Sequence, residues 1–202
     1  MILYGASGHG KVVLDILQSR NQKVNQVIDD NPEIENFQGF SVELPAEIAG
    51  NSEVVLAIGN NKIRQKLSRK LSVNFSRALI HTKAHISENI QIGDGSVVMA
   101  MAVIHPDVQI GKHSIINTGA IVEHDAVLGD FVHISPGAVV TGNAKIGEGT
   151  HIGAGATLIP GVKIGKWATI GAGAVIISDV PDYAVVVGNP GKIIKFNKTE
   201  DE

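Results

Sequence analysis

An aliphatic residue recurs at every sixth position through the middle and C-terminal parts of the chain. Seventeen consecutive matches occur without an insertion: Ile80, Ile86, Ile92, Val98, Ile104, Ile110, Ile116, Val122, Leu128, Ile134, Val140, Ile146, Ile152, Leu158, Ile164, Ile170 and Ile176. Four residues later most repeats carry a small or β-branched residue, as at Ala102, and glycine often follows the aliphatic position, as at Gly147. A period of six matches neither a helix nor a simple strand, and it predicts a parallel β-helix of hexapeptide repeats.

The spacing also indicates the geometry of the predicted solenoid. Three hexapeptides would complete one triangular coil of eighteen residues, with the aliphatic side chains pointing inward and stacking from coil to coil. The small residues fit where the wall turns, and glycine allows corner dihedral angles that other residues resist. A β-sandwich of many short strands is the alternative, and a period that stays in phase over seventeen repeats argues against it.

The N-terminal part of the chain has a different pattern, and we divide the chain between residues 79 and 80. An apolar run at residues 2–4 is followed by a glycine-rich turn at 5–11 and then by an amphipathic stretch. The apolar side of that stretch is formed by Val12, Val13, Ile16 and Leu17. This order predicts a strand, a turn and a helix. A small Rossmann-like α/β domain over 1–79 would precede the β-helix over 80–202.

Two more strands and a second helix are predicted within the N-terminal domain. Apolar runs at 24–28 and 54–58 predict strands. Ile63, Leu67 and Leu71 recur at helical spacing and predict a helix with basic residues on its outer face. A last short strand leads into the first repeat, which completes a β-α-β-β-α-β order.

The glycine-rich turn Gly5-Ala6-Ser7-Gly8-His9-Gly10-Lys11 is open to several interpretations. It nearly matches a P-loop, but Val12 stands where Ser or Thr should hold magnesium. Its glycine spacing also resembles a dinucleotide fingerprint with Asp29 as the ribose-binding acid, although the domain is too short for a dehydrogenase. Backbone N–H groups at a helix N-terminus would equally suit the diphosphate of a nucleotide sugar. A tight turn without a ligand is the remaining possibility.

Composition excludes several classes of function. The 202 residues include 44% hydrophobic but only 4% aromatic residues, so Ile, Val and Ala must build the core. A net charge of -3 without a basic run argues against nucleic acid. The absence of cysteine excludes disulfides, thiolate zinc sites and a cysteine acyl-enzyme. No signal peptide and no apolar run long enough for a bilayer are apparent, so we expect a cytoplasmic protein without membrane contact.

Histidines in the repeats are the candidate reactive groups. His124 lies in the segment Glu123-His124-Asp125 at the third position of its repeat, where its side chain should point outward near a corner. By itself such a residue is more often a solvated surface histidine. His133 and His151 are eighteen residues apart and should stack one coil above the other, about 5 Å apart.

These motifs together resemble one known group of enzymes. The turn at 5–11, the segment Ala57-Ile58-Gly59-Asn60-Asn61 and the hexapeptide repeats are similar to the bacterial UDP-4-amino-sugar N-acetyltransferases of the hexapeptide acyltransferase family, which act in bacillosamine and related glycan pathways. The related sialic-acid O-acetyltransferases share this architecture. The resemblance implies a left-handed β-helix, acetyl-CoA as co-substrate, and a homotrimer with active sites between subunits. The segment 187–192 resembles the family's closing segment over the last coil.

The resemblance also implies roles for individual residues. In the catalytic centre, His124 would be the general base, Asp125 its partner, and Asn117 part of the same pocket. Acetyl-CoA would contact His133, Gly142, Ala154 and Ala172. The nucleotide sugar would contact Ser7, Gly8 and His9 through its diphosphate, Asp29 and Asp30 through its base or ribose, and Gly59 and Asn60 on the far side. The expected reaction is direct attack of the sugar amine on the thioester.

Two other classes of function remain as alternatives. The γ-class carbonic anhydrases bind zinc through three histidines on this type of β-helix, and His81-x-x-x-His85 is a possible pair. The usual family spacing is absent, so we expect no metal. A non-catalytic scaffold is the third possibility, but a scaffold would need neither the glycine-rich turn nor the Glu-His-Asp segment.

Overall fold

The computed structural model describes residues 1–45, 48 and 52–198. Its N-terminal part is an α/β unit with the elements β1 (Ile2–Tyr4), α1 (Gly8–Ser19), β2 (Gln26–Ile28), β3 (Asn36–Phe37), β4 (Phe40–Glu43), β5 (Val54–Leu56) and α2 (Asn61–Lys70). One sheet has the order β3-β4-β2-β1-β5. All its pairs are parallel except the β3–β4 hairpin. The sequence analysis missed this hairpin because its strands are short and alternate with exposed polar residues.

The centre of this sheet is buried on both faces, which is typical of parallel strands covered by helices. Every residue of β1 and β5 is buried. Helix α1 covers one face with Val13, Leu14, Ile16 and Leu17. Its apolar stripe therefore agrees with the predicted one, except that Val12 is only partly buried.

The prediction for the buried face of α2 was correct for Leu67, which is buried, and wrong for the first turn of the helix. Ile63 is 51% exposed, whereas Arg64, predicted on the outer face, is 1% exposed. Asn61 and Gln65 are buried beside Arg64. The physical reason is the surface that α2 meets: a corner of the β-helix presents backbone carbonyls, which need donors rather than apolar side chains.

The repeat region forms seventeen two-residue strands, each ending on one of the predicted aliphatic residues. They are β6 (Leu79–Ile80), β7 (His85–Ile86), β8 (Gln91–Ile92), β9 (Val97–Val98), β10 (Val103–Ile104), β11 (Gln109–Ile110), β12 (Ile115–Ile116), β13 (Ile121–Val122), β14 (Val127–Leu128), β15 (His133–Ile134), β16 (Val139–Val140), β17 (Lys145–Ile146), β18 (His151–Ile152), β19 (Thr157–Leu158), β20 (Lys163–Ile164), β21 (Thr169–Ile170) and β22 (Val175–Ile176). The predicted parallel β-helix is confirmed, while its left hand stays a prediction.

The strands form three parallel sheets, because every third strand pairs. Sheet 1 contains β6, β9, β12, β15, β18 and β21; sheet 2 runs from β7 to β22; sheet 3 runs from β8 to β20. The register advances by eighteen residues, so Ile116 lies beside Ile134 and Ile134 beside Ile152. We call the turns from sheet 1 to sheet 2 the first corner, from sheet 2 to sheet 3 the second corner, and from sheet 3 to sheet 1 the third corner.

The core of the β-helix is one continuous column of aliphatic and small side chains. Ile134, Ala138 and Val140 have no exposed surface, and the same holds for most inward positions from Val98 onward. The small residues are thus part of the core, four positions after each aliphatic one. Ile80 and Ile86 are only partly buried, because they lie in the first, open coil.

The C-terminal segment closes the other end of the β-helix, as predicted. Strand β23 (Ala184–Val187) pairs with β21 of sheet 1, and β24 (Lys192–Phe196) pairs antiparallel with β23. Val180 bridges to Ile164 of sheet 3, and Val175 N–H in sheet 2 donates to Gly188 O at 3.0 Å. The last repeat strand of each sheet is therefore paired or bridged, and the exposed β24 is left as the edge strand of sheet 1.

The two units meet on the outer surface of sheet 1. The outward residues Leu79, Val97 and Ile115 are buried in one cluster with the apolar face of α1. Further along the same sheet the outward residues become His133, His151 and Thr169. The apolar part of this column holds the α/β unit in place, and the polar part begins where α1 no longer covers it.

Candidate functional site

His133 lies where the two units meet. Its ring stacks on that of His151 with centroids 4.8 Å apart, in line with the predicted column. On the other side its ring centroid is 6.3 Å from that of His9, the residue in the first turn of α1. Gly59 lies beside both histidines, because a Cβ built on it would be 3.8 Å from His9 Cβ and its carbonyl oxygen is 3.3 Å from His133 Nδ1. The structure therefore brings His9, Gly59 and His133 together.

The hydrogen bonds of His133 determine its tautomer. Asn117 Oδ1 accepts from Thr118 N–H at 2.8 Å, so the Asn117 amide NH₂ faces His133 and donates to Nε2 at 3.1 Å. His133 Nδ1–H then donates to Gly59 O at 3.3 Å. His133 is neutral in this arrangement, because a protonated ring could not accept the bond from Asn117.

Burial keeps this group of histidines uncharged. It lowers the pKa of His133 to about 3, assisted by the neighbouring His151, Arg64 and His9. Burial and Arg64 lower the pKa of His9 to about 4. Burial, followed by Arg64, lowers the pKa of His151 as well. His9 Nε2 is buried and has no hydrogen-bond partner among the described residues. It is therefore available to a ligand that binds where the two units meet.

The glycine-rich turn holds α1 and leaves room beside it. Gly5 has φ +117°, and a Cβ on Gly10 would lie 2.3 Å from Gly5 O, so both glycines are required by the turn itself. A Cβ on Gly8 would meet nothing within 4 Å. Ser7 is the N-cap of α1, but its side chain makes no capping hydrogen bond. Open space and a free hydroxyl therefore lie at the N-terminus of α1.

Asp29 and Asp30 contribute to the shape of that turn. Asp29 accepts from the N–H groups of Ala6 and Asn31 at 2.7 and 2.9 Å. Asp30 accepts from Tyr4 Oη–H at 3.0 Å. Asp29 thus ties the end of β2 to the glycine-rich turn, a structural role that the sequence analysis did not foresee.

A cavity of about 520 Å³ begins where the two units meet and extends along sheet 1. It is lined by residues of both units, among them Gly59, Asn60, Lys62, His133, His151, Trp167, Thr169 and Lys198. Among the described residues its charged side chains are lysines, and no carboxylate of that part of the chain lines it. Such a cavity favours an anionic ligand. Sequence reasoning missed Trp167 and Lys62, because neither belongs to a motif.

His124 lies elsewhere, at the second corner. Its side chain is 56% exposed, and its Nδ1–H donates to Asp125 Oδ2 at 2.8 Å. Asp125 has φ +60°, which turns the chain at the corner and brings its carboxylate to the imidazole. His124 Nε2 remains free to accept a proton. The ring lies over Gly142, one coil further on, where a Cβ would be only 2.6 Å from His124 Cε1.

The predicted site residues therefore fall into two groups. One group lies at the first corner, next to the α/β unit, and consists of Asn117, Ala154 and Ala172. The other lies at the second corner and consists of His124, Asp125 and Gly142. The width of sheet 2 separates the two groups. Within a single subunit, His124 is therefore close neither to Asn117 nor to the cavity where the two units meet.

Neither a metal site nor a membrane span is apparent in the part of the chain that the structure describes. No group of three or more His, Asp or Glu residues there could hold a metal ion. Both ring nitrogens of His81 are already engaged, Nδ1 with Lys83 N–H and Nε2 with Asp15. No helix in the described ranges is long and apolar enough to cross a bilayer.

Family models match both parts of the chain. Residues 1–71 match the PglD N-terminal domain, and residues 107–142 and 143–178 match the bacterial transferase hexapeptide repeat. The acetyltransferase domain of PglB from Neisseria gonorrhoeae is 37% identical with a TM-score of 0.89, over 96% of this chain and 98% of that domain. The chain belongs to the family of hexapeptide-repeat sugar N-acetyltransferases with a PglD-type N-terminal domain.

Two further members of this N-acetyltransferase family are similar. A mutant perosamine N-acetyltransferase from Caulobacter crescentus, in complex with CoA and GDP-perosamine, is 36% identical with a TM-score of 0.90, over 96% of each chain. UDP-N-acetylbacillosamine N-acetyltransferase from Bacillus subtilis is 35% identical. That match spans 48% of this chain and half of the relative's length. The gonococcal domain is also known in complex with acetyl coenzyme A.

Proposed function

We propose that the protein is an acetyl-CoA-dependent N-acetyltransferase that acetylates the amine of a UDP-linked 4-amino-4,6-dideoxy sugar. The observation that carries this proposal is the likeness over nearly the whole chain to sugar N-acetyltransferases, one of them in complex with CoA and a nucleotide-linked amino sugar. The Bacillus subtilis relative supports UDP as the nucleotide, while the Caulobacter crescentus relative makes GDP the alternative to test.

The nucleotide sugar would bind to residues 1–79. Ser7, Gly8 and His9 would contact its diphosphate, and the open space beside Gly8 and the free N–H groups at the start of α1 support this placement. Asp29 and Asp30 would line the base or ribose, with Gly59 and Asn60 opposite. The buried, unpartnered His9 Nε2 supports a polar ligand at this point.

Acyl transfer would take place on residues 80–202 by direct attack. The sugar amine nitrogen would form a bond to the thioester carbonyl carbon, His124 Nε2 would take the amine proton, and the carbon–sulfur bond would break to release CoA, whose thiolate takes up a proton. The bond from His124 Nδ1–H to Asp125 supports this role, since it leaves Nε2 as the proton acceptor. His133, Gly142, Ala154 and Ala172 would lie along the coenzyme.

A homotrimer would complete the site. The outward residues of sheet 2 include the β-branched Val103, Ile121, Val139 and Val175, all half-buried, whereas sheet 3 presents mainly glutamine and lysine. An apolar sheet face favours burial against a second copy. Packing of sheet 2 around a threefold axis would bring the second corner of one subunit to the first corner of the next. His124 would then reach Asn117 and the nucleotide-sugar-binding residues of the neighbouring subunit.

The test is a product assay with acetyl-CoA and either UDP-4-amino-4,6-dideoxy-GlcNAc or GDP-perosamine. Mass spectrometry should detect an N-acetylated sugar nucleotide, and thiol release should match it. His124→Ala should lower the single-turnover rate by about 10²–10⁴-fold. Asp125→Asn should cause a smaller loss. Failure to acetylate either amine, or a His124→Ala variant with the wild-type single-turnover rate, would contradict the proposal.

A further inference from the structure

Arg64 is a buried arginine that no motif brought to attention. It lies in α2, is 1% exposed, and has all five guanidinium N–H donors directed at acceptors. The acceptors are His113 O at 2.7 Å, Ile58 O at 2.8 Å, Asn61 Oδ1 at 2.9 Å, Phe131 O at 3.0 Å and Gly59 O at 3.3 Å. Every one is neutral, and no carboxylate pairs with Arg64 among the described residues.

The acceptors of Arg64 come from both units. Ile58 and Gly59 belong to the turn between β5 and α2, whereas His113 and Phe131 occupy equivalent places at the third corner in consecutive coils. Asn61 continues the series by donating to Gly149 O, one coil further on, at 3.0 Å. The planar guanidinium therefore sets the position of the Gly59 turn relative to the β-helix, because its donors have a rigid geometry.

The contact with Gly59 continues to the candidate site. Gly59 O accepts from both Arg64 Nη1 and His133 Nδ1, each at 3.3 Å. His133 Nε2 accepts from Asn117. A chain of hydrogen bonds thus runs from Arg64 through Gly59 and His133 to Asn117.

We propose that Arg64 is a positioning residue. It holds Gly59 in place beside the sugar nucleotide and, through the Gly59 carbonyl, holds the neutral Nδ1–H tautomer of His133 in place beside acetyl-CoA. The reference to the sugar nucleotide rests on the proposed function. The charge of Arg64 adds to this effect, because a cation that no carboxylate neutralises opposes protonation of the nearby His9 and His133.

Arg64→Lys and Arg64→Met separate geometry from charge. Lysine keeps the charge but cannot supply the five-donor fork, and methionine removes both. Arg69→Met is the matched control, since Arg69 is exposed in the same helix. The first readout is ¹⁵N NMR of the histidine rings without substrate, with His133 assigned by comparison with His133→Ala. The second is the KM for each substrate.

Wild-type protein and Arg69→Met should have His133 as the Nδ1–H tautomer. Both Arg64 variants should redistribute the His133 tautomers, and Arg64→Met should also raise the His133 pKa. The KM for both substrates should rise, that for acetyl-CoA on the order of tenfold through His133 and that for the sugar nucleotide through Gly59. In the His133→Ala background Arg64→Lys should have little further effect on the KM for acetyl-CoA, because the two residues act through one contact.

An unchanged His133 tautomer in both Arg64 variants would overturn the proposal. So would an undiminished effect of Arg64→Lys on the KM for acetyl-CoA in the His133→Ala background, which is the result expected of general loosening. If Arg64→Met fails to fold, as thermal melting and circular dichroism would reveal, Arg64→Lys decides by the same criteria. The NMR readout needs no turnover, so absence of acetyl transfer in the wild-type protein would refute the proposed function without deciding the role of Arg64.

Discussion

His124 and His133 differ in environment, although both are outward residues of the hexapeptide repeats. His124 projects from the second corner, where it is largely exposed and bonded to Asp125. His133 projects from a sheet that the α/β unit covers, so burial makes it neutral and both its nitrogens are bonded. An exposed imidazole that is hydrogen-bonded to a carboxylate through one nitrogen is suited to proton transfer at the other. A buried neutral one is suited to holding its neighbours in place.

Gly142 supplies the space for His124, so Gly142→Ala should act through that ring. The added methyl group would meet His124 Cε1 and Nε2 and displace the imidazole. We expect kcat to fall on the order of tenfold, with little change in stability. Steady-state kinetics and thermal melting would measure this.

The His124→Ala background is the control for that substitution. If Gly142→Ala acts only by displacing the ring, it should cause no further loss where the ring is already absent. A full additional loss in the double variant would instead indicate that the added methyl group acts on the coenzyme, along which Gly142 is proposed to lie, and not on the His124 ring.

At the scale of the element, the hexapeptide strands and the helix α2 itself were predictable, but the polar part of the buried face of α2 was not. Each strand owes its place to a local rule, since the aliphatic residue of every repeat must face inward. Helix α2 follows its partner instead. Its buried face carries Arg64, Asn61 and Gln65 because the third corner offers the carbonyls of His113, Phe131 and Gly149.

Ile134→Asp should severely destabilise the β-helix. Ile134 has no exposed surface, so the substitution would bury a carboxylate without a partner. We expect a loss of about 4 kcal/mol or more in the free energy of unfolding. Val127→Asp is the matched control in the same solenoid, because Val127 faces outward and is exposed, and it should change stability by less than about 0.5 kcal/mol. Denaturant unfolding would compare them, and similar losses would refute the inward and outward assignments.

At the scale of the whole molecule, acid should weaken the junction between the two units. An unfolded histidine titrates near its ordinary pKa of 6.5, whereas burial, followed by Arg64, lowers the pKa of His113 to about 4. Between these values the unfolded chain binds more protons than the folded protein. The stability that His113 contributes is therefore complete above its ordinary pKa and is lost as the pH falls towards 4.

His113→Phe should reduce this pH dependence. The ring lies edge-on to Phe75 and is stacked on Phe131, and its Nδ1 is buried without a partner, so phenylalanine can replace it. Between about pH 7 and about pH 4.5 the melting temperature should fall less steeply than in the wild type. His85→Phe, at an exposed position, should leave the slope unchanged. Parallel slopes for wild type and His113→Phe would contradict the assignment.

A trimer with shared sites predicts complementation between inactive subunits. His124→Ala and Asn117→Ala should each be inactive alone, because each lacks one part of every site. Coexpressed and purified as mixed trimers, they should recover about a third of wild-type activity, because a closed ring of three that contains both subunits has one intact site. No recovery in trimers shown to contain both subunits would place the whole site within one chain.

The sequence by itself determined the parallel β-helix, the α/β unit before it and the family, because inward positions, glycine turns and motifs are local properties of the chain. The tertiary structure decided that Arg64 and not Ile63 is buried in α2, and which tautomer His133 adopts. These features depend on contacts between residues far apart in sequence, such as Arg64 with His113 and Phe131, which are 49 and 67 residues away. No local period encodes such a contact, because whether a buried donor is tolerated depends on the acceptors that the completed fold places opposite it.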